Sequence, residues 1–215
     1  MASSQEAALA AGLAELGLEL AAEQVGQLLQ FLELLQKWSR VYNLTAVRDP
    51  AQMLTLHLMD SLAVVGPLRR HTQGRALRLL DVGSGAGLPG AVIATCCPEI
   101  QVDCVDAVAK KAAFIQQSAA TLQLPNLRGL HGRVQDLPQR YEVVVSRAFA
   151  SLADFVSWSG NALAAEGAWL AMKAKDPVTE IAALPSDLAV FHVEQLKVPG
   201  LDAERRLVWM NRQPA

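Results

Sequence analysis

The sequence predicts an α/β fold with a mostly parallel sheet, preceded by a helical extension. Three observations support this prediction. Short apolar runs alternate with longer amphipathic ones from residue 76 onward, the first seventy residues show helical spacing, and a glycine-rich loop joins the first apolar run to a helix. We place the boundary in the polar segment 71–75, which gives a helical cap over residues 1–73 and an α/β core over residues 74–215.

The cap is expected to contain two helices joined by a fixed loop. Apolar side chains recur at helical spacing along the first helix, at Leu28, Leu29, Leu32, Leu35 and Trp38. The second helix spans residues 49–62, where Asp49 suits the N-cap and Pro50 suits the first helical position. Residues 41–48 between them are not periodic. We expect Tyr42 and Asn43 to fix this loop against the core, and a role in stacking an RNA base is the alternative.

The core is expected to consist of alternating strands and helices. Five apolar runs are typical of buried strands: residues 76–82, 100–105, 127–131, 142–146 and 168–172. Helices are expected at residues 89–97, 109–122 and 151–163. Two further strands, residues 188–193 and 206–210, are predicted to form an edge hairpin. This alternation predicts helices on both faces of the sheet.

Composition is that of a cytoplasmic soluble protein. Apolar residues make up 52% of the 215-residue chain and charged residues 19%. No apolar run reaches the roughly 20 residues that span a bilayer, and the first six residues lack the pattern of a secretory signal. Cys96, Cys97 and Cys104 are expected to be buried free thiols, with neither a disulfide nor a metal site. The net charge of −2 argues against broad nucleic-acid binding, although a local basic face remains compatible with it.

The most informative segment is the run Asp81-Val-Gly-Ser-Gly-Ala-Gly-Leu-Pro-Gly90. An apolar strand ends here, and a helix is expected to open at Pro89. Glycines at 83, 85 and 87 remove the Cβ atoms where a backbone turns sharply and a ligand approaches it closely. Parallel sheets of the Rossmann-like type bind ligands at the carboxyl ends of their strands, so this loop is the expected ligand site.

The spacing Gly85-x-Gly87-x-x-Gly90 also satisfies the pattern of NAD-binding loops, so the glycines alone do not identify the ligand. Asp81 favours S-adenosylmethionine, because a carboxylate at this position suits the ammonium group of the methionyl part and sits poorly beside a pyrophosphate. Asp106, at the end of the next strand, is expected to bind ribose hydroxyls in either case. We therefore expect an S-adenosylmethionine-dependent methyltransferase, with an NAD-binding oxidoreductase as the less favoured alternative.

The methyl acceptor should meet the donor after the fourth strand, where the sequence is Val145-Ser-Arg-Ala-Phe-Ala150. Enzymes that methylate exocyclic amines usually carry an Asp/Asn-Pro-Pro-aromatic run there, and this chain lacks it. Carbon-5 methylation of pyrimidines needs a cysteine nucleophile, and the three cysteines are poorly placed for one. Guanine N-7 has an exposed lone pair and needs neither device, so no general base is required. A small-molecule or protein acceptor stays open, given the near-neutral net charge.

Five motifs in order resemble the bacterial small-subunit rRNA methyltransferase G family. They are Trp38-Ser-Arg-Val-Tyr-Asn-Leu-Thr-Ala-Val-Arg-Asp-Pro50, His57-Leu-Met-Asp-Ser61, the glycine run 81–90, Ser146-Arg-Ala-Phe-Ala-Ser151 and Leu201-Asp-Ala-Glu-Arg-Arg-Leu207. The resemblance implies N-7 methylation of one guanine in 16S rRNA near the decoding region. It also implies donor contacts from Gly83 and Leu88, adenine contacts from Val134 and Gln135, and a place for Arg147 at the donor–substrate junction. The chain departs from the family pattern at Lys173-Ala-Lys175 and at Arg205-Arg206.

Charged residues near the strand ends are the candidates for RNA contact. Arg147 is expected to hold an RNA phosphate or the cofactor carboxylate, with an ion pair to Asp81 or Asp106 as the alternative. The remaining candidates either form one basic rim around the cleft or are scattered solvated charges: Arg133, Lys173, Lys175, Arg205 and Arg206. His57 and Asp60 fit a helix-packing pair better than a catalytic dyad. The expected partner is 16S rRNA or the 30S particle, bound by a monomer.

Overall fold

The computed structural model describes residues 4–213, and in it seven strands form one sheet flanked by helices. The strands are β1 (Leu77–Val82), β2 (Ile100–Asp106), β3 (Leu127–His131), β4 (Tyr141–Arg147), β5 (Leu163–Lys173), β6 (Leu188–Gln195) and β7 (Arg206–Arg212). Their spatial order is β3-β2-β1-β4-β5-β7-β6; the first five are parallel, and β7 runs antiparallel to both β5 and β6. The predicted α/β fold is confirmed, and so is the hairpin, although its second strand is the one beside β5.

The described helices are α1 (Ser4–Leu16), α2 (Ala22–Tyr42), α3 (Pro50–Met53), α4 (Asp60–Leu62), α5 (Val65–Thr72), α6 (Gly90–Cys96), α7 (Ala109–Thr121), α8 (Leu152–Ser159) and α9 (Val178–Ala182). The predicted cap at Asp49 is confirmed, since its side chain accepts a hydrogen bond from the Gln52 N–H at 2.8 Å. The helix that begins there passes through a π-helical segment, Leu54–Met59, before α4. Helix α8 ends earlier than predicted, because a 3₁₀ turn at Gly160–Ala162 leads directly into β5.

One apolar core joins the cap to the sheet. Leu28 and Phe31 of α2 belong to the same buried cluster as Leu79 of β1 and Val143 of β4. Trp38 packs against this cluster, with its ring centroid 5.5 Å from that of Phe114. A second cluster on the opposite face of the sheet includes buried residues of α8, β4 and β5. The boundary at residues 71–75 stays a prediction, and apolar packing is continuous across it. Residues 1–3, 214 and 215 of the two expected domains lie outside the described residues.

The three cysteines are free and buried, as expected. Burial raises the pKa of each thiol. Between residues 4 and 213, no helix is both long and apolar enough to span a bilayer.

Candidate cofactor and substrate site

The glycine loop is a tight turn at the carboxyl end of β1. The Gly83 and Ser84 N–H groups donate to the Val105 carbonyl at 2.9 and 3.2 Å, which ties the loop to β2. Gly83 and Gly85 have φ values of 63° and 60°, in the left-handed region that side chains other than glycine rarely adopt. A Cβ atom on Gly83 would lie 2.5 Å from the Phe149 ring, whereas a Cβ atom on Gly85 would meet no atom of residues 4–213 within 4 Å. The loop therefore has an open side at Gly85.

Asp81 lies beneath this loop. Its side chain is fully buried, and Oδ2 accepts a hydrogen bond from the Gly90 N–H at 2.8 Å, at the start of α6. Burial raises the pKa of the Asp81 carboxyl to about 7, against the opposing effects of the Gly90 N–H and of Arg147. The Asp81 carboxyl group does not line either of the two cavities that adjoin the glycine loop. This placement differs from the sequence expectation of a direct ligand contact, because the side chain turns into the interface between the sheet and α6.

Asp106 organises the opposite side of the loop. Its Oδ2 accepts from the Gly85 N–H at 3.0 Å and lies 3.5 Å from the Lys111 ammonium, while its Oδ1 accepts from the Val108 N–H at 2.9 Å. Each carboxylate oxygen has two lone pairs, so these bonds leave acceptor capacity. Unlike Asp81, Asp106 lines a cavity.

That cavity, the apolar slot, has a volume of about 360 Å³. The residues that line it include Val82, Gly83, Val105, Asp106, Arg133, Val134, Gln135, Phe149 and Trp158. The structure thus brings Val134 and Gln135 next to the glycine loop. Phe149 and Trp158 were missed by sequence reasoning, although Phe149 lies in the motif 146–151 that supported the resemblance. Their ring centroids are 5.5 Å apart in an edge-on arrangement.

A second cavity, the charged cleft, meets the apolar slot at Gly83 and has a volume of about 580 Å³. Its walls include Gly85 and Leu88 of the loop and Leu44, Thr45 and His57 of the cap. It also contains four cationic side chains and two carboxylates: Arg147, Lys173, Lys175, Arg205, Asp60 and Glu180.

Arg147 is paired inside this cleft, with a partner the sequence did not suggest. Its Nη1 donates to Asp60 Oδ2 at 3.0 Å and to the Leu56 carbonyl at 3.1 Å. The alternative pairing with Asp81 or Asp106 is therefore wrong, because the π-helical segment and α4 bring Asp60 to the end of β4. Asp60 Oδ1 also accepts from Arg205 Nε at 2.7 Å.

The other predicted RNA contacts lie in different parts of the site. Lys173 and Lys175 both line the charged cleft, but the Lys173 ammonium is paired with Glu180 at 2.9 Å, whereas Lys175 is exposed and has no ion-pair partner among the described residues. Arg133 is exposed at the rim of the apolar slot.

Arg206 lines neither of these two cavities, and its guanidinium lies 3.8 Å from Glu204. Successive residues of an extended chain point to opposite sides, so Arg205 and Arg206 are separated. A single rim that includes all five candidates is therefore not formed.

His57 and Asp60 do not form a hydrogen-bonded pair with each other. His57 Nε2 lies 2.7 Å from the Thr45 hydroxyl, and that hydroxyl oxygen accepts from the Val47 N–H at 3.2 Å. Burial, followed by the nearby charge of Arg147, lowers the pKa of His57, so the imidazole is neutral near pH 7. The expected helix-packing pair is thus corrected: His57 holds the loop 41–48, and Asp60 holds two arginines.

The loop 41–48 is fixed, although the contacts of Tyr42 and Asn43 lie within the cap and not against the core as expected. Arg48 donates to the Ser39 carbonyl and to Asn43 Oδ1, both at 2.5 Å. The Tyr42 ring packs against Trp38 in a tilted arrangement, with 5.1 Å between the ring centroids. Among residues 4–213, no group of three or more His, Cys, Asp or Glu side chains is placed to hold a metal ion, and the expectation of a metal-free site stays a prediction.

These features fit the two halves of S-adenosylmethionine. The apolar slot would offer apolar side chains to a base, with the Asp106 carboxylate on the same wall for ribose hydroxyls. Open space at Gly85 and the buried Ser84 hydroxyl, which has no hydrogen-bond partner among residues 4–213, border the charged cleft and would suit the donor's amino-acid part. Fold and site together define the class of Rossmann-like S-adenosylmethionine-dependent methyltransferases.

Comparisons with solved structures agree with this fold. The chain is similar to TrmN from Thermus thermophilus, with a TM-score of 0.56 and 20% identity over 70% of this chain and 48% of that one. It is also similar to a SAM-dependent methyltransferase from Aquifex aeolicus, with a TM-score of 0.54 and 15% identity over 75% of this chain and 97% of that one. At these identities the likeness concerns the fold.

Sequence comparison then gives the family. The family model described as GidB, rRNA small subunit methyltransferase G, matches residues 24–209. A protein named ribosomal RNA small subunit methyltransferase G from Polaromonas sp. strain JS666 is 63% identical over 96% of this chain and 93% of that protein. A protein of the same name from Acidovorax ebreus strain TPSY is 63% identical over 97% of this chain and 96% of that protein. The chain belongs to the rRNA small subunit methyltransferase G family. The resemblance is confirmed, and the NAD alternative is set aside.

Proposed function

We propose that this protein transfers the methyl group of S-adenosylmethionine to N-7 of one guanine in 16S rRNA. The observation that carries the proposal is the contact between the glycine loop and a cleft with surplus positive charge. The family's name supports rRNA as the acceptor, and the lack of an amine-orienting motif after β4 supports N-7. We further propose that the enzyme acts as a cytoplasmic monomer on the 30S particle or its RNA.

The charge of the cleft favours a polyanionic acceptor. Four cations face two carboxylates there, and His57 is neutral, so the walls carry a surplus of two positive charges. The donor itself has a net charge of +1, because its sulfonium is not balanced by the carboxylate and ammonium of its amino-acid part. An acceptor that brings phosphates offsets this excess, whereas a neutral metabolite does not. The overall charge of −2 hides this local surplus.

This methyl transfer requires no proton transfer by the protein. The bound donor supplies a methyl group activated by its sulfonium. The N-7 lone pair forms the new bond to the methyl carbon while the carbon–sulfur bond breaks, and the positive charge moves to the guanine ring without loss of a proton. The protein's part is alignment. Phe149 and Trp158 would hold the adenine with Val134 and Gln135, Asp106 would hold the ribose, and the loop from Gly83 to Leu88 would orient the methyl group towards the cleft.

The developing cation requires a site that tolerates it. Asp60 and Glu180 are already paired with Arg147, Arg205 and Lys173, so phosphates of the acceptor RNA would offset most of the new charge on the guanine. A neutral His57 avoids adding a further cation at the wall.

The test is methylation of 30S particles that lack the modification, with isotopically labelled donor, followed by nuclease digestion and chromatography of the nucleosides. We expect the label in 7-methylguanosine at one site. Label at another guanine atom or another base would overturn the N-7 assignment. Label that appears in small molecules or proteins and not in the particle would overturn the RNA assignment.

A further inference from the structure

Helices α2 and α7 lie side by side and antiparallel where the cap meets the core. Gln27, near the start of α2, donates to the Leu122 carbonyl just after α7 at 2.9 Å. Trp38, near the end of α2, packs against Phe114 of α7 with 5.5 Å between the ring centroids. The end of α2 therefore lies beside the start of α7. The exposed residues at this place are named the basic seam: Lys37, Arg40, Val41, Tyr42, Val108 and Lys110.

The cations of the basic seam have no counter-ions within the described residues. Lys37, Arg40 and Lys110 are exposed, and none of them forms an ion pair or a side-chain hydrogen bond there. Glu33, one turn before Lys37 on α2, is exposed as well but forms no ion pair with it. The positive charge of the seam is therefore available to a ligand.

Three large apolar side chains are exposed in the same seam. The exposed fraction is 70% for Val41, 44% for Tyr42 and 40% for Val108. The Tyr42 ring rests against Trp38, so the fold supports part of the ring while the rest is open to solvent. A ring held in this way loses little side-chain entropy when a flat group stacks on it. The seam thus combines a fixed aromatic surface with unpaired positive charge.

The basic seam is continuous with both cavities of the site. Leu44 and Thr45 follow Tyr42 closely in the chain and line the charged cleft. Asp106, two residues before Val108, lines the apolar slot. Two residues of chain span at most about 7 Å. A polymer whose reacting base enters the charged cleft therefore brings its neighbouring units within reach of the seam.

We propose that the basic seam binds the RNA strand that flanks the acceptor guanine, with Lys37, Arg40 and Lys110 on phosphates and Tyr42 stacked on an unpaired base. This inference rests on the proposed function and extends it from the reacting base to its neighbours. Phosphates attract unpaired surface cations, and an aromatic ring can stack on any unpaired base because every base has a π-face. The RNA is thus held outside the cavities that take the donor and the reacting base.

The chemistry of the basic seam favours RNA over a protein partner. The buried centres of protein–protein interfaces are depleted in lysine, because desolvation of an unpaired ammonium group is costly. Surfaces that bind single-stranded RNA combine aromatic rings with positive charge. Two lysines and one arginine around an exposed tyrosine match the second pattern.

The first experiment measures KM and kcat for 30S particles over a range of salt concentrations, with Lys37→Gln, Arg40→Gln and Lys110→Gln alone and combined. For a single strand, each phosphate contact contributes about 0.7 to the slope of log affinity against log salt concentration, which is about fivefold in affinity at ~0.1 M relative to ~1 M salt. We expect the KM at ~0.1 M salt to rise about fivefold in each single variant and about 100-fold in the triple variant. The salt slope should become shallower, and kcat should change less than about twofold, because the seam does not touch the reacting atoms.

Arg70→Gln is the matched control, since it makes the same charge change at the other end of the sheet. Arg70 lies in α5, which precedes the amino end of β1, and its side chain is exposed. We expect its KM and salt slope to equal those of the unaltered enzyme. The triple variant should also keep its Kd for S-adenosylhomocysteine, because none of its three positions lines the apolar slot or the charged cleft.

Substitutions at Tyr42 separate stacking from charge. Loss of one stacked base lowers affinity about tenfold, so we expect the KM of Tyr42→Ala to rise by about this factor and that of Tyr42→Phe to change less than about twofold. Phe191→Ala is the control, because Phe191 is a comparably exposed aromatic residue on the edge strand β6. A fall in kcat and in melting temperature without a rise in KM would assign Tyr42 to support of the loop 41–48 and would overturn the stacking.

Photo-crosslinking to 30S particles identifies the partner directly. With Tyr42→p-benzoylphenylalanine we expect a crosslink to 16S rRNA, whereas Phe191→p-benzoylphenylalanine should give none. A crosslink from position 42 to a ribosomal protein alone would overturn the assignment to RNA.

Two kinetic results would also overturn the inference: an unchanged KM and salt slope in the triple variant, or an equal loss in Arg70→Gln, which would show a general effect of net charge. Both differ from a failure of the proposed function. In that case the unaltered enzyme itself would not methylate the particle.

Discussion

The buried carboxyl of Asp81 gives a sharp test of how the glycine loop is supported. Its pKa is raised to about 7 from an ordinary 3.8, mainly because burial penalises the charged form. A carboxyl whose pKa is higher in the folded state contributes its full stability below pH 3.8, and this contribution is lost as the pH rises through about 7. Asp81→Asn removes this titration and keeps an oxygen that accepts from the Gly90 N–H.

The size of the effect follows from the two pKa values. One pKa unit corresponds to about 1.36 kcal/mol, so ionisation of Asp81 costs the folded state about 4 kcal/mol at high pH. About half of this free energy is lost between pH ~5.5 and pH ~8.5. For a chain of this size, about 2 kcal/mol corresponds to a shift of roughly 4–8 °C in melting temperature. The melting temperature of Asp81→Asn relative to that of the unaltered protein should therefore rise by roughly 4–8 °C between pH ~5.5 and pH ~8.5.

The assay is thermal unfolding of both proteins across this pH range without ligand. Other titrating groups are shared, so their contributions cancel in the difference. Asp187→Asn provides the control, because its side chain is exposed. A difference between Asp81→Asn and the unaltered protein that does not change with pH would refute the account of a buried, protonatable carboxyl. Titration with S-adenosylhomocysteine on the same samples then shows whether Asp81 also contacts the ligand: a loss of affinity would restore the sequence expectation.

Three further expectations follow from the site and the sheet. The methyl group of Gly85→Ala would have no described protein atom within 4 Å but would fill the open side of the loop. We therefore expect S-adenosylhomocysteine affinity measured by calorimetry to fall at least about tenfold, while stability falls only by the roughly 1–2 kcal/mol of left-handed strain. Arg147→Ala should lower kcat/KM by about 10- to 100-fold. The melting temperature should change little because Asp60 keeps its ion pair with Arg205, and a matched fall in stability would show a structural role. Tyr141→Phe removes a buried hydroxyl that donates to Asp103 at 2.7 Å, away from both cavities, so urea unfolding should show a loss of about 1–2 kcal/mol with methylation unchanged. Reduced methylation by the fully folded variant would contradict this purely structural role.

The net charge of the whole chain is a poor guide to the substrate of this protein. The net charge of −2 argued against RNA binding, yet the charged cleft concentrates cations where the donor loop opens. Their neighbours come from distant parts of the chain. Asp60 and Arg205 are 145 residues apart in the sequence, and no local pattern predicts that they meet.

The family resemblance indicated the residues after β3 that border the apolar slot, whereas the sequence pattern by itself determined the alternation of strands and helices and the glycine loop. These features depend on local spacing, on the special conformations of glycine and on the rule that ligands bind at the carboxyl ends of parallel strands. Tertiary structure alone decided which charges are paired. Asp81 lies under the loop because its side chain packs on α6, and Asp60 reaches Arg147 and Arg205 because a π-helical segment and a shared apolar core set the cap against the sheet. Side-chain direction and contacts between distant segments arise only when the chain is packed, so spacing along the sequence does not contain them.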